Sequence, residues 1–138
     1  MNEQIRNDIA KYPDVFWFEK PLDEAELYQA DRLLQPPNDL LAFWREFGAG
    51  LMFESERILR PFAEDVSMSF ITEREKAQGL RSHLTVFHFG VVISGFDSKG
   101  FEAFDVDSYN PLGRFDTLDG WYVNVIKDIF GERYGLSS

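Results

Sequence analysis

Helical and strand-like patterns occupy separate parts of this amino-acid sequence. Apolar residues repeat at helical spacing between Asp23 and Pro36 and again between Asn38 and Gly48, as in amphipathic helices. Within residues 85–106, the segments TVFHF, VVISGF and FEAFDV are rich in β-branched and aromatic residues, which are typical of strands. A helical pattern returns after residue 117. Because helices and strands are segregated, the sequence predicts an α+β domain. We expect an antiparallel sheet of about four to six strands, with N-terminal helices and a C-terminal helix packed on one face.

Short local signals indicate where the helices begin and end. Asp23 and Glu26 have the spacing of a capping box. Asn38 and Thr117 are expected to be N-caps, and Gly48 is expected to supply a left-handed residue at a helix C-terminus. The final helix is expected to bury an apolar face formed by Leu118, Trp121, Tyr122, Val125, Ile126 and Ile129.

Strand signals are shorter and leave alternatives open. A hairpin is predicted between residues 91–97 and 101–106, residues 110–113 are expected to form a turn, and residues 114–116 are expected to add a short strand. The segment VFWF, residues 15–18, is either a short strand or an extended segment covering the core, and we favour the extended segment. Residues 63–81 fit a helix or an ordered loop equally well.

The composition is that of one folded domain. With 44% hydrophobic residues, including 14 Phe, 5 Tyr and 3 Trp, the chain can bury enough apolar surface to offset its conformational entropy. Its 138 residues suit a single domain, 1–138. The sequence has no cysteine, no signal-peptide pattern at its start, and no stretch of about 20 apolar residues that could span a membrane. We therefore expect a cytoplasmic protein with no membrane partner.

The charge is strongly acidic, with 24 Asp and Glu against 14 Lys and Arg and a formal net charge of −10. Nucleic-acid binding relies on Lys and Arg to neutralise phosphates, and the chain has no basic block, so nucleic acid is excluded as a direct partner. The acidic residues are concentrated in residues 14–31 and 97–119. Such runs occur on solvated faces, and they also attract basic partners. The second run contains Asp97, Glu102, Asp105, Asp107, Asp116 and Asp119, against Lys99 and Arg114.

No pattern of catalytic, metal-binding or cofactor-binding residues stands out. The sequence contains no G-x-S-x-G elbow, no phosphate-binding glycine motif and no zinc motif. His83 and His88 would point to opposite faces of a strand, and we expect a half-buried sheet histidine. Residues 105–116 place aspartates at positions 1, 3 and 12 of a calcium-loop template, but Asn110 stands where that loop requires glycine. We therefore expect neither an enzyme nor a bound cofactor or metal.

One order of motifs covers about residues 22–130. The segment A-E-L-Y-Q-A-D-R-L-L is followed by two prolines, N-D-L-L-A-F-W-R-E-F-G-A-G, strands, F-E-A-F-D-V-D and a closing helix. This order resembles the SUKH superfamily. The matching positions are Asp31, Pro37, Phe43, Trp44, Gly48, Gly50 and Asp105. The family has glutamate where Asp31 stands and a Leu-Pro step where Gln35-Pro36-Pro37 stands.

SUKH proteins include bacterial immunity proteins and a fungal regulator of cell-wall synthesis. The resemblance implies a non-catalytic α+β domain that binds a protein, which in the bacterial branch is a secreted toxin. Because many such toxins are nucleases with basic surfaces, an acidic protein could occupy that surface by mimicking nucleic acid. We expect the carboxylates of residues 97–119 to form the docking surface, with Tyr109 or Phe101 as an anchor. Two alternatives stay open: a scaffold or regulator that binds an endogenous partner, and a carboxylate-based hydrolase.

Overall fold

Seven antiparallel strands in chain order form the sheet of this protein. The computed structural model describes residues 1–62 and 67–136. Each strand pairs with the strand before and after it in sequence. The predicted α+β domain with an antiparallel sheet is confirmed, although the sheet has seven strands instead of four to six. The strands are β1 (Phe16–Phe18), β2 (Gly50–Met52), β3 (Glu56–Ile58), β4 (Thr85–Phe89), β5 (Val92–Asp97), β6 (Gly100–Asp105) and β7 (Pro111–Phe115).

The two edge strands are where the sequence-based predictions fail. The segment 15–18 contains β1, in which Phe16 lies opposite Met52 of β2; the preference for an extended covering segment is therefore wrong. Residues 110–113, predicted as a turn, largely belong to β7, where Gly113 lies opposite Ala103. A proline is tolerated at the start of β7 because an edge strand leaves one side of its backbone outside the ladder.

The helices begin mostly where the capping signals predicted. Asp23 and Glu26 form a capping box, and the Thr117 side chain accepts a hydrogen bond from the N–H of residue 120. Pro37, and not Asn38, is the N-cap of its helix, because Pro37 keeps an extended ψ of 151° and Asn38 is already helical. The helices are α1 (Glu3–Lys11), α2 (Glu24–Leu34), α3 (Asn38–Glu46), α4 (Met68–Ala77), α5 (Leu118–Trp121) and α6 (Asp128–Phe130), with a 3₁₀ turn at Pro13–Val15.

A π-helical segment, Tyr122–Lys127, joins α5 to α6, and we call residues 118–130 the C-terminal helix. A π-helix closes its hydrogen bonds over five residues, whereas an α-helix closes them over four. The residues after the segment are therefore rotated relative to a regular α-helix. Ile129, predicted on the buried face, is 45% exposed, and Phe130 is buried in its place.

Helices cover both faces of the sheet, because side chains alternate between the two faces along each strand. On the inner face, the ring centroid of Phe87 lies 4.9 Å from that of Trp121 in the C-terminal helix. On the outer face, Arg74 of α4 lies 4.9 Å from the ring centroid of Phe89, and Thr72 accepts a hydrogen bond of 2.9 Å from the N–H of Val86. The prediction that helices pack on one face is thus wrong for α4. Residues 63–66 of the uncertain segment lie outside the described residues.

No helix in the described part of the chain has the length and hydropathy needed to cross a membrane.

Candidate protein-binding surface

Four of the six carboxylates predicted for docking are divided between the two ends of β6. Asp97 lies opposite Gly100 at the start of this strand, and Asp105 ends it. Asp116 follows β7 beside Gly100, whereas Asp107 lies in the turn after Asp105. Because a strand rises about 3.4 Å per residue, the two ends are about 17 Å apart. The acidic run of the sequence is therefore two groups in space.

Asp97 and Glu102 are paired with cations. Asp97 contacts Arg114 at 3.1 Å and His83 at 3.1 Å, and Arg114 also lies 3.5 Å from Glu102. Partial burial raises the pKa of Asp97, but hydrogen bonds from His83, the Lys99 N–H and Arg114 outweigh it and lower the pKa to about 2. Most of the charge of this pair is satisfied within the protein.

Asp105 and Asp119 hold backbone groups in place. Asp105 accepts hydrogen bonds of 2.9 Å from the N–H groups of residues 107 and 108, and these bonds lower its pKa. Asp119 accepts hydrogen bonds of 3.1 Å from the N–H groups of Gln4 and Ile5. It therefore caps α1 from the C-terminal helix, and the negative charge suits the positive end of the α1 dipole. Both residues have structural roles.

Two of the predicted carboxylates remain free. The side chains of Asp107 and Asp116 are exposed, and neither has a hydrogen-bond or ion-pair partner among residues 1–62 and 67–136. The half-buried Tyr109 side chain lies near Asp107 and donates a 3.4 Å hydrogen bond to Glu75. Phe101 is fully buried and cannot anchor a partner, because its position on the inner face turns its ring into the core. These facts narrow the expected surface to Asp107, Asp116 and the edge of Tyr109.

The positions that carry the SUKH resemblance are mostly explained by packing. Phe43 and Trp44 are buried in the core, and Pro37 begins α3. Gly48 has φ +77°, a conformation that favours glycine, and a Cβ at Gly48 would overlap the carbonyl oxygen of Lys20. A Cβ at Gly50 would overlap the backbone of β1. Asp31 is exposed on α2, and nothing in its surroundings explains an aspartate there.

The core contains a hydrogen-bonded network of polar side chains that the sequence patterns did not predict. Nδ1 of His88 lies 3.0 Å from Oγ of Ser94, and Nε2 of His88 lies 3.0 Å from Oε1 of Glu56. Trp121 donates a 2.8 Å hydrogen bond to the same serine oxygen. The order hydroxyl, imidazole, carboxylate is that of a nucleophilic triad. All three side chains are completely buried, however, so no substrate reaches Ser94 in this conformation.

The protonation states of His88 and Glu56 in this network follow from burial and from their hydrogen bonds. Burial lowers the pKa of His88, while the hydrogen bond with Glu56 opposes that shift, so the imidazole is neutral at pH 7. Burial raises the pKa of Glu56, but the hydrogen bonds from His88, Ser55 and the Val91 N–H outweigh it and keep the carboxyl ionised. His88 then donates to Glu56 and accepts from Ser94. The histidine is fully buried instead of half-buried, and it connects β3, β4 and β5 with the C-terminal helix.

The described residues contain no group of three or more His, Cys, Asp or Glu side chains that could hold a metal ion. No protein-family model and no curated protein sequence match this chain.

Proposed function

We propose that this protein is a non-catalytic protein-binding domain, an immunity protein of the SUKH type that binds and neutralises a cognate bacterial toxin. The expected partner is basic, such as a nuclease. The observation that supports the proposal is the pair of exposed carboxylates of Asp107 and Asp116 beside β6 and β7, which have no partner among the described residues. Their charge is not used within the fold, so it is available to a partner.

The separation of the two carboxylates favours a protein surface over a single ion. They lie about 17 Å apart along β6, which is beyond the Debye length of about 8 Å at physiological ionic strength. Each therefore acts on a different cation. Arg114 does not cancel this field, because it is already paired with Asp97 and Glu102. An extended basic surface fits this arrangement.

The test is protection of a cell against the product of the adjacent gene. If that gene encodes a toxin, co-expression of this protein should restore growth, and the purified pair should associate rapidly at low salt. In D107K/D116K the association rate should fall about tenfold or more, because steering by surface charge contributes factors of about 10 to 1,000.

A matched control separates local charge from total charge. Asp128 and Glu132 are also exposed, but they lie in the last turn of the C-terminal helix and just after it. D128K/E132K changes the net charge by the same amount and should slow association much less. Equal association rates in wild type and D107K/D116K would contradict the proposed surface. An adjacent gene whose product is harmless and does not bind would contradict the immunity function.

A further inference from the structure

Trp17 is an exposed tryptophan at the middle of an edge strand. Its side chain is 79% exposed, whereas Trp44 and Trp121 are completely buried. Its neighbours in β1 point to the inner face: the Phe16 ring lies 5.3 Å from that of Phe53, and Phe18 packs at similar distance on α3. Alternation therefore directs residue 17 to the outer face. The alternation of side chains along β1 does not require that residue 17 be a tryptophan. Tryptophan is, however, enriched among the residues that contribute most to binding energy in protein interfaces.

Two shallow cavities of about 410 and 340 Å³ flank the indole. Leu51 of β2, which lies opposite Trp17, lines both of them. The larger cavity also includes Pro13 and Val15. The indole thus stands between two depressions with apolar walls, and a side chain can lie against either of its faces. We call Trp17, Leu51 and these walls the Trp17 surface.

The rim of the Trp17 surface is acidic. Asp14 and Glu54 line the larger cavity and Glu19 the smaller one, against Arg57 as the lone cation lining either. Glu54 is held by a 3.1 Å hydrogen bond from the Tyr134 hydroxyl. It has φ +66°, a conformation that favours glycine or asparagine in a two-residue turn. Glu54 therefore adopts a backbone conformation that glutamate rarely adopts.

We propose that the Trp17 surface binds an arginine- or lysine-bearing segment of a partner protein. The cation lies over the indole face at the larger cavity, where the ring quadrupole attracts it and where Asp14 and Glu54 supply negative charge; Glu19 adds negative charge from the smaller cavity. The alkyl stem of such a side chain packs on Leu51. An acidic or neutral segment lacks this complementarity.

The Trp17 surface is separate from the carboxylates proposed above for toxin binding. β1 and β6 are five strands apart, which is about 24 Å at the spacing of neighbouring strands. The inference therefore goes beyond the proposed function and does not depend on it. A partner large enough to cross the sheet could contact both surfaces.

The first experiment uses tryptophan fluorescence of the full chain. Because Trp44 and Trp121 are buried, Trp17 supplies the fluorescence that dissolved ions can quench. With each quenching constant divided by that of the same ion for free N-acetyltryptophanamide, caesium should quench Trp17 more strongly than iodide, and W17F should lose the quenchable fraction. In D14N/E19Q/E54Q the preference for caesium should disappear. A preference for iodide in the wild-type protein after the same normalisation would overturn the assignment of a cation site.

The second experiment measures binding of an oligoarginine peptide, with oligoglutamate as the control peptide. W17A should weaken oligoarginine binding about tenfold or more, and R57A should strengthen it by removing the one cation. Y28A is the matched control, because Tyr28 is 66% exposed on α2 and its loss should leave binding unchanged. W17A should weaken oligoarginine binding in the D107K/D116K background as much as it does in the wild-type background. This result separates the inference from the proposed function.

Two results would overturn the inference. One is oligoarginine binding that W17A leaves unchanged while the protein stays folded, as judged by its urea unfolding. The other is a wild-type dimer that W17A dissociates to a monomer in sedimentation, because a second copy of the chain would then occupy this surface.

Discussion

The buried pair of Glu56 and His88 allows a quantitative test of how the sheet is held together. His88→Leu removes the imidazole donor of the buried Glu56 carboxylate, which loses a hydrogen bond to a charged group worth about 1.5–3 kcal/mol and leaves that charge under-satisfied at a further cost of about 1–3 kcal/mol. Glu56→Leu leaves Nε2–H of His88 without an acceptor. It loses a hydrogen bond to a charged group worth about 1.5–3 kcal/mol and creates an unsatisfied donor that costs about 1–3 kcal/mol. Each single variant should therefore lose a large part of a typical stability of about 5–15 kcal/mol.

The double variant decides whether the two side chains act as a unit. When both are replaced by leucine, neither leaves an orphaned polar group towards the other. The double variant should then lose less stability than the two single losses added together, by about 1–3 kcal/mol. Urea unfolding at pH 7, followed by fluorescence and extrapolated linearly, measures each free energy. Additive losses, within about 0.5 kcal/mol, would refute the coupling inferred from the 3.0 Å contact.

Acid should act on the same pair. The folded-state pKa of His88 is below its ordinary value of 6.5, so the unfolded chain binds the proton first as the pH falls. The stability contributed by neutral His88 is complete above about pH 6.5 and is lost as the pH falls below that value. In His88→Leu this part of the pH dependence should be absent. A wild-type protein that gains stability between pH 6.5 and pH 5.5 would contradict the neutral histidine.

Three further predictions concern other parts of the fold. The pKa of Asp97 is about 2, against 3.8 ordinarily, and this shift corresponds to at most about 2 kcal/mol of stability. That stability is present above pH 3.8 and is lost as the pH falls towards 2. Acid unfolding curves of Asp97→Asn should lack this loss. Gly48→Ala should cost at least about 1–2 kcal/mol, because φ is +77° and the added Cβ meets the backbone of residue 20; an unchanged urea midpoint would disprove this. Phe130→Ala should cost about 3–5 kcal/mol, and Ile129→Ala less than about 1 kcal/mol, in the same assay; the reverse order would show that the π-helical segment does not set the register of the C-terminal helix.

Features decided by neighbouring residues were predictable from the sequence. The capping box of Asp23 and Glu26, the cap at Thr117, the turn after Asp97 and the left-handed Gly48 all follow from contacts or torsions within a few residues. The segregation of helical and strand-like patterns also depends on local periodicity. For this reason the fold class was correct, and the positions of β4, β5 and β6 were close to those observed.

The edge strands and the use of charge depended on distant residues. β1 has three residues, and its pairing partner begins more than thirty residues later, so its own pattern cannot reveal the pairing. Asp119 caps a helix at the opposite end of the chain, and Arg114 neutralises Asp97 across two strand pairings. A run of acidic residues in the sequence does not indicate which carboxylates will form ion pairs or hydrogen bonds in the folded protein. Only the assembled sheet showed that Asp107 and Asp116 have no partner within residues 1–62 and 67–136.

The fold class, the main helices and the excess of acidic residues could all be predicted from the amino-acid sequence, because they follow from local periodicity and from composition. The packing of the folded chain determines which charges remain available, brings Glu56 and His88 together in the core, and leaves Trp17 as the tryptophan exposed to solvent. These features could not be predicted because burial and pairing are properties of two or more distant segments packed together. Alternation along β1 predicts that Trp17 and its neighbours point to opposite faces of the sheet. Only the packing of Phe16 and Phe18 into the core shows that the face with Trp17 is the one exposed to solvent at β1.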